Sequence, residues 1–218
     1  MPFVMTHLFI AYNILNKIPQ IKNPSDFLLG AIAPDAVHFR ENYNSDMKKK
    51  SHLCVGDEKW GRITNNQDWL KSVLTFQKES QHNDNIDFIN GYCSHILADI
   101  RNNIIIWTPF FLENKEALEK GMGSAYHQES TDIDYALYLL SPQQKVIWKM
   151  LEEATGYDIS DIVTGDEINK MKHDILYSRF LNRNYVDISS NKYVIFSRIQ
   201  EFIAVESQYI GNLLYNNS

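Results

Sequence analysis

Cysteine, glycine and proline are all scarce in this chain of 218 residues. The two cysteines, Cys54 and Cys93, form no CxxC pair and provide no disulfide framework, which argues against the disulfide-rich class and against cysteine zinc sites. Nine glycines and six prolines make up about 7% of the residues, against roughly 12% in an average protein. Turn-dense sandwiches and barrels are therefore disfavoured, and long helices are favoured.

The chain also lacks an excess of basic residues and any long apolar run. Acidic residues number 27 and basic residues 21, so the formal net charge is −6, which argues against a broad surface for nucleic acid. No segment approaches the roughly 18 apolar residues of a membrane span, and the first residues do not resemble a secretory signal. We therefore expect a cytoplasmic protein with no nucleic-acid partner and no membrane span. The sequence does not indicate its oligomeric state.

Apolar residues recur at helical spacing along most of the chain, and no segment shows sustained alternation of apolar and polar residues. Hydrophobic residues make up 44% of the chain, enough for a sizeable core. The pattern predicts an all-α bundle formed by one domain over residues 1–218. The helices are expected at residues 6–17, 27–33, 66–80, 85–107, 131–140, 142–154, 167–181 and 190–215, with a long loop at residues 40–64.

The helix expected at residues 85–107 is apolar on most sides, which is typical of a central helix. It nevertheless carries His95 and Asp99, which lie four residues apart and therefore share one face. A buried carboxylate without a partner costs several kcal/mol. A metal ion bound by an imidazole nitrogen and a carboxylate oxygen would remove that cost, and both are ordinary zinc ligands. The two side chains could equally bond to each other or to the backbone, and the spacing alone leaves both interpretations open.

Three more candidate ligands occupy suggestive positions. His7 lies in the first turn of the first expected helix, Asp35 follows the helix end at Pro34, and His52 follows Ser51 in the expected loop. Each also has a structural interpretation when taken alone: a residue at a helix start, a cap and a solvated loop histidine.

The order and local context of these residues resemble the zinc-dependent phospholipase C family, which includes bacterial phosphatidylcholine-hydrolysing enzymes and the catalytic domain of clostridial alpha-toxin. Each motif is short, and the ordered set is what carries the resemblance. The matching segments are Thr6-His7-Leu8, Gly30 to Asp35, Ser51-His52, His95 to Asp99, and His127 followed by Glu129, Asp132 and Asp134.

The resemblance implies a helical bundle of the phospholipase C/nuclease-like type that binds up to three zinc ions and hydrolyses phosphate esters with metal-activated water. It implies one ion among Asp35, His52, His95 and Asp99, and a second between His7 and the other oxygen of Asp99. It also implies that Asp35 is a catalytic general base.

The remaining metal site of the family departs from the pattern in this chain. Ile105 stands where the family has a histidine, and Thr131 stands where it has a glutamate. His127 is retained as a candidate ligand, with Asp132 or Glu129 as a substitute carboxylate. We therefore expect one or two zinc ions, with another divalent metal as the alternative.

The expected activity is metal-dependent hydrolysis of a phosphate-ester or phospholipid-like small substrate. Lys48, Lys49 and Lys50 are candidate substrate-binding residues, although a solvated loop would also explain them, and His38 is a reserve ligand. Two alternatives remain. One is a degenerate, non-catalytic metal-binding relative. The other is an HD-type phosphohydrolase that uses His173 and Asp174 together with His127 and Asp187.

Overall fold

The computed structural model describes residues 3–215, and this part of the chain is all-α, as predicted. It contains no strand and one isolated β-bridge, between Ile159 and Val163. The α-helices are α1 (Val4–Leu15), α2 (Pro24–Gly30), α3 (Ser45–Ser51), α4 (Asn66–Glu79), α5 (Ile86–Asn102), α6 (Thr108–Glu113), α7 (Lys115–Ala117), α8 (Gly123–Leu140), α9 (Gln144–Glu153), α10 (Gly165–Asp174) and α11 (Phe196–Tyr215). A 3₁₀ helix covers Ala33–Phe39, and π-helical turns cover Asn103–Trp107, Leu118–Met122 and Ile175–Arg179.

The central helix is α5, which is buried along almost its whole length. Helix α2 crosses it at very short range because a glycine lies on each side of the crossing. A Cβ atom on Gly30 would lie 2.1 Å from the carbonyl oxygen of Phe88, and one on Gly91 would lie 2.0 Å from that of Phe27. No side chain fits in this space. The crossing sets the 3₁₀ helix that follows α2 beside the middle of α5.

Helices α1, α4 and α11 also pack against α5, and α8 packs against α1. A buried carboxylate on α8, that of Asp134, accepts the backbone N–H of Met5 at 2.7 Å and so attaches α8 to the start of α1. Arg101 of α5 forms a bidentate ion pair with the buried Glu206 of α11, at 2.7 and 3.1 Å. These polar contacts fix the helices that surround the site described below. No helix of residues 3–215 has both the length and the apolar character needed to cross a membrane.

Several expected boundaries were wrong. The long loop expected at residues 40–64 contains α3, whose polar sequence has no apolar stripe and whose start is capped by the Asn44 side chain. Helix α8 begins at Gly123 rather than at residue 131, two residues after Gly121 with its positive φ of 99°. Helix α1 begins after Phe3 instead of at Thr6, and α11 begins at Phe196 rather than at residue 190.

Candidate metal centre

The structure brings together five of the residues expected as metal ligands, although they come from four separate segments. His7 lies on α1, Asp35 on the 3₁₀ helix and His52 directly after α3, whereas His95 and Asp99 lie on α5. The side chains of all but Asp35 are at most 2% exposed. The Asp35 side chain is 22% exposed and faces a cleft. The centre is thus buried on one side and accessible at Asp35.

Three pairs of ligand atoms lie at distances that suit a metal ion. The Nε2 atom of His52 lies 3.4 Å from Asp35 Oδ1 and 3.4 Å from Asp99 Oδ2. The Nε2 atom of His95 lies 3.8 Å from the same Asp99 oxygen. Ligands around a tetrahedral zinc ion, at about 2.0–2.2 Å from it, are separated by roughly 3.3–3.6 Å. The spacing of these three pairs is close to that of a zinc site.

The hydrogen bonds of two histidine rings orient them for metal binding. His95 Nδ1 lies 2.8 Å from the carbonyl oxygen of Ala31, and His52 Nδ1 lies 2.9 Å from that of Lys48. A ring that donates its Nδ1–H to a carbonyl keeps an unprotonated Nε2, and that nitrogen is the one facing the cluster.

Several buried polar atoms of the centre have no hydrogen-bond partner within the described part of the chain: both ring nitrogens of His7, the Nε2 atoms of His52 and His95, and Asp99 Oδ1. Leaving one such atom unpaired costs about 1–3 kcal/mol. An ion bound at the centre removes this cost, because imidazole nitrogen and carboxylate oxygen are its natural ligands. The residues therefore fit zinc.

His7 faces a second position next to the first. Its ring stacks on that of His95 with centroids 3.6 Å apart and planes 7° apart, and its Nε2 lies 3.5 Å from Asp99 Oδ1. Two sets of three residues have ligand atoms within 4.8 Å of one another: His7, His95 and Asp99, and Asp35, His52 and His95. Because His95 Nδ1 bonds to Ala31, its Nε2 serves only one ion, and the two sets cannot both be complete.

Burial and neighbouring charges set the protonation of the centre. Burial lowers the pKa of His95 to about 3 and also lowers those of His7 and His52, so all three rings are neutral at neutral pH. Burial raises the pKa of Asp99 well above its usual value. For Asp35 burial acts in the same direction, but the Lys48 ammonium and the neighbouring His38 and His52 side chains outweigh it and hold the pKa well below the usual value. Neutral imidazoles and an ionised Asp35 are the forms that bind a metal.

The centre opens through Asp35 into a cleft of about 500 Å³. Lys48 lines the cleft, with its Nζ 3.0 Å from Asp35 Oδ1, 3.3 Å from His38 Nε2 and 4.9 Å from the ring centre of Trp60. Much of the remaining wall is aromatic. It includes Phe3, Phe39, Trp60, Trp107, Tyr126, His127, Ser130 and Arg179.

Other expected site residues lie elsewhere or are held by other partners. His127 lines the cleft but belongs to neither candidate metal set, and its ring packs 5.4 Å from that of Phe3. Asp132 is bound by Arg183 at 2.7 Å. Glu129 accepts three backbone N–H groups, from residues 192 to 194. At the two positions that depart from the family pattern, the Ile105 side chain is exposed and the Thr131 hydroxyl donates to the carbonyl oxygen of His127.

Only one of the three consecutive lysines reaches the cleft. Lys49 Nζ donates to the carbonyl oxygen of Gly56, and Lys50 pairs with Asp161. Successive residues of a helix point in different directions, so three neighbours on α3 cannot all face one site. Sequence reasoning did not identify Trp107 or Arg179 as cleft residues, since both lie on expected helices without any motif.

The competing histidine-aspartate pair on α10 has other contacts. Asp174 forms an ion pair with Arg179 at 2.7 Å, and the His173 ring packs 5.0 Å from that of Tyr177. Within residues 3–215, neither belongs to a group that could hold a metal. The geometry therefore favours the centre on α5.

The zinc-dependent phospholipase C family model matches residues 6–100. This match confirms the resemblance inferred from the sequence and contains His7, Asp35, His52, His95 and Asp99. It ends before His127. Comparison with curated proteins and with solved structures gives no significant match. The zinc-dependent phospholipase C resemblance therefore covers the buried centre on α5 and leaves α6 to α11 outside it.

Proposed function

We propose that this protein is a zinc-dependent hydrolase of phosphate esters. The observation that carries the proposal is the convergence of Asp35 Oδ1, His52 Nε2, His95 Nε2 and Asp99 Oδ2 beside a cleft. The match to the zinc-dependent phospholipase C family supports the same reaction class. Bound zinc supplies Lewis acidity towards a phosphate oxygen and lowers the pKa of water.

The chain's own residues divide the remaining tasks. His52, His95 and Asp99 would hold the ion, and His7 with Asp99 Oδ1 would provide the place for a second one. Asp35 lies where the centre meets the cleft and is ionised at neutral pH, so its carboxylate accepts the proton of the attacking water. The oxygen of that water forms a bond to phosphorus, the bond from phosphorus to the ester oxygen breaks, and the leaving oxygen takes the proton that Asp35 accepted. Lys48 binds the phosphate, and aromatic side chains line the cleft around it.

Hydrolysis assays on variants of single ligands test this proposal. The protein is purified without chelator or affinity metal, loaded with zinc and assayed on p-nitrophenyl phosphate and bis(p-nitrophenyl) phosphate. The variant His52→Ala is expected to lose at least about a hundredfold in kcat/KM, because it removes a ligand. The matched control His82→Asn changes an exposed histidine outside the cleft and is expected to behave as the wild type. Equal activity of His52→Ala and the wild type contradicts the proposal.

A non-catalytic, metal-stabilised relative is the second candidate function. The exposed Ile105 and the engagement of Asp132 by Arg183 favour it, because both remove ligands from the family's remaining metal site. The two candidates differ in one outcome of the same assay. A wild-type protein that holds stoichiometric zinc and hydrolyses neither ester supports the non-catalytic candidate.

A further inference from the structure

Lys48 places an ammonium group on the cleft wall directly beside the metal centre. Its Nζ lies 3.0 Å from Asp35 Oδ1 and 3.3 Å from His38 Nε2, and its side chain is 16% exposed. An ammonium group has three N–H donors. Asp35 and His38 take two of them, and since Lys48 lines the cleft, the third is available to a ligand there.

The titratable groups that line the cleft favour an anion. Asp35 is the only carboxylate among the described residues that line it, and it is already bonded to Lys48. The wall also contains the Arg179 guanidinium and the imidazole rings of His38 and His127, and no further carboxylate among the described residues. Arg179 is itself paired with Asp174, whereas Lys48 is bonded to Asp35 of the centre.

We propose that the cleft selects phosphate monoesters and that Lys48 is the residue that recognises their additional negative charge. This inference rests on the proposed function. Near neutral pH a monoester phosphate carries close to two negative charges and three free oxygens, as a phosphorylated side chain does. A diester carries one negative charge and two free oxygens. A fixed ammonium forms stronger, charge-assisted hydrogen bonds to the more highly charged group.

The reaction balances without any further reactant. The oxygen of water forms a bond to phosphorus while the bond from phosphorus to the alcohol oxygen breaks. One proton of the water passes to the alcohol, and the products are the free alcohol and inorganic phosphate. The class of substrate is therefore a terminal phosphate on an alcohol, carried by either a soluble molecule or a lipid.

The test compares substrates in the wild type and in variants of α3. Wild-type zinc protein is expected to have a higher kcat/KM for p-nitrophenyl phosphate than for bis(p-nitrophenyl) phosphate. Lys48→Met is expected to lower the monoester value about ten- to a hundredfold and the diester value much less, since one charged hydrogen bond is removed. Lys48→Arg keeps the charge and is expected to retain most of the monoester activity. Lys49→Met, on the same helix but bonded to Gly56, is the matched control.

A binding measurement keeps this inference separate from the proposed function. The dissociation constant of inorganic phosphate for the zinc-loaded protein is expected to rise at least about tenfold in Lys48→Met and to stay unchanged in Lys49→Met. Zinc content and thermal unfolding of each variant establish that it is folded and loaded. If neither ester is hydrolysed, the proposed function fails, while phosphate binding still decides the role of Lys48.

Two further substrates distinguish the carriers of a terminal phosphate. Glycerol phosphate represents the soluble carrier and dispersed phosphatidate the lipid carrier, and faster hydrolysis of either one than of its diester counterpart supports the inference. Faster hydrolysis of phosphatidylcholine than of phosphatidate overturns it. The inference is also overturned if Lys48→Met and the wild type bind inorganic phosphate with the same dissociation constant. A higher wild-type kcat/KM for bis(p-nitrophenyl) phosphate than for p-nitrophenyl phosphate overturns it as well.

Discussion

The crossing of α2 and α5 gives a sharp test of how the fold holds the metal centre. In the variant Gly91→Ala the new Cβ would lie 2.0 Å from the carbonyl oxygen of Phe27 and 2.9 Å from its carbonyl carbon. Real Cβ atoms essentially never approach closer than 3.0 Å, so the two helices must separate by at least about 1 Å. The obstacle is backbone on a buried helix, and no change of side-chain rotamer relieves it.

The expected loss of stability follows from two opposing effects. Overpacking that shifts a backbone costs about 1–3 kcal/mol and sometimes more, and this site belongs at the upper end because both partners are helical backbone. Alanine gains about 1 kcal/mol over glycine in a helix interior. We therefore expect Gly91→Ala to lower the free energy of unfolding by about 2 kcal/mol, and Tm by roughly 4–8 °C for a protein of this size.

The same shift is expected to weaken metal binding. His95 follows Gly91 by one helical turn, and its Nδ1 is held by the Ala31 carbonyl across the crossing. Separation of the helices stretches this hydrogen bond and releases the ring orientation. Loss of a hydrogen bond that orients a ligand typically costs about ten- to a hundredfold in metal affinity.

Urea unfolding and zinc titration of Gly91→Ala measure both effects. The control Gly123→Ala places a Cβ 3.9 Å from the Leu118 side chain, in ordinary contact, and is expected to unfold within about 1 kcal/mol of the wild type. Wild-type stability and zinc affinity in Gly91→Ala would refute the claim that the crossing is limited by backbone contact.

Two other predictions concern buried carboxylates. Burial raises the pKa of Asp134 to about 7, well above the 3.9 of an unfolded chain, so the folded protein holds the extra proton and loses stability as pH rises from about 4 to 7. Asp134→Asn removes that loss, so its free energy of unfolding is expected to exceed that of the wild type by about 2–4 kcal/mol at pH 8 and to differ little at pH 4. Urea midpoints of the two proteins that differ equally at both pH values argue against this prediction. Arg101→Met leaves Glu206 buried without its partner and is expected to cost about 3 kcal/mol in urea unfolding, part of which Glu206→Gln restores. An unchanged midpoint in Arg101→Met contradicts this.

The helical class and the central helix were predictable because apolar periodicity and burial depend on local sequence. Helix α3 was not, since it is held by an Asn44 cap and by tertiary contacts instead of an apolar stripe. The close crossing at Gly30 and Gly91 was also missed, because a glycine inside a helix does not by itself reveal the neighbour it faces. The organisation of residues 1–218 as one domain stays a prediction.

The five residues of the centre were found through ordered short motifs, and the chemistry of each type indicated a metal. Their mutual geometry depends on contacts between distant segments. For the same reason the sequence did not show that Asp132 and Lys50 are bound by other partners. Arg183 lies 51 residues from Asp132, and Asp161 lies 111 residues from Lys50. Sequence spacing says which helix a side chain lies on, and the packing of the other helices decides what it binds.

The central claim is that His95, Asp99 and their neighbours hold zinc, and elemental analysis tests it most directly. Wild type, Asp99→Asn and Asp132→Asn are purified without chelator or affinity metal, and zinc, manganese and iron are counted per chain. We expect one or two equivalents of zinc in the wild type. The metal is expected to be lost in Asp99→Asn and retained in Asp132→Asn, whose carboxylate is bound by Arg183. Wild-type zinc content in Asp99→Asn, or a wild type that takes up no metal after reconstitution, would contradict the account.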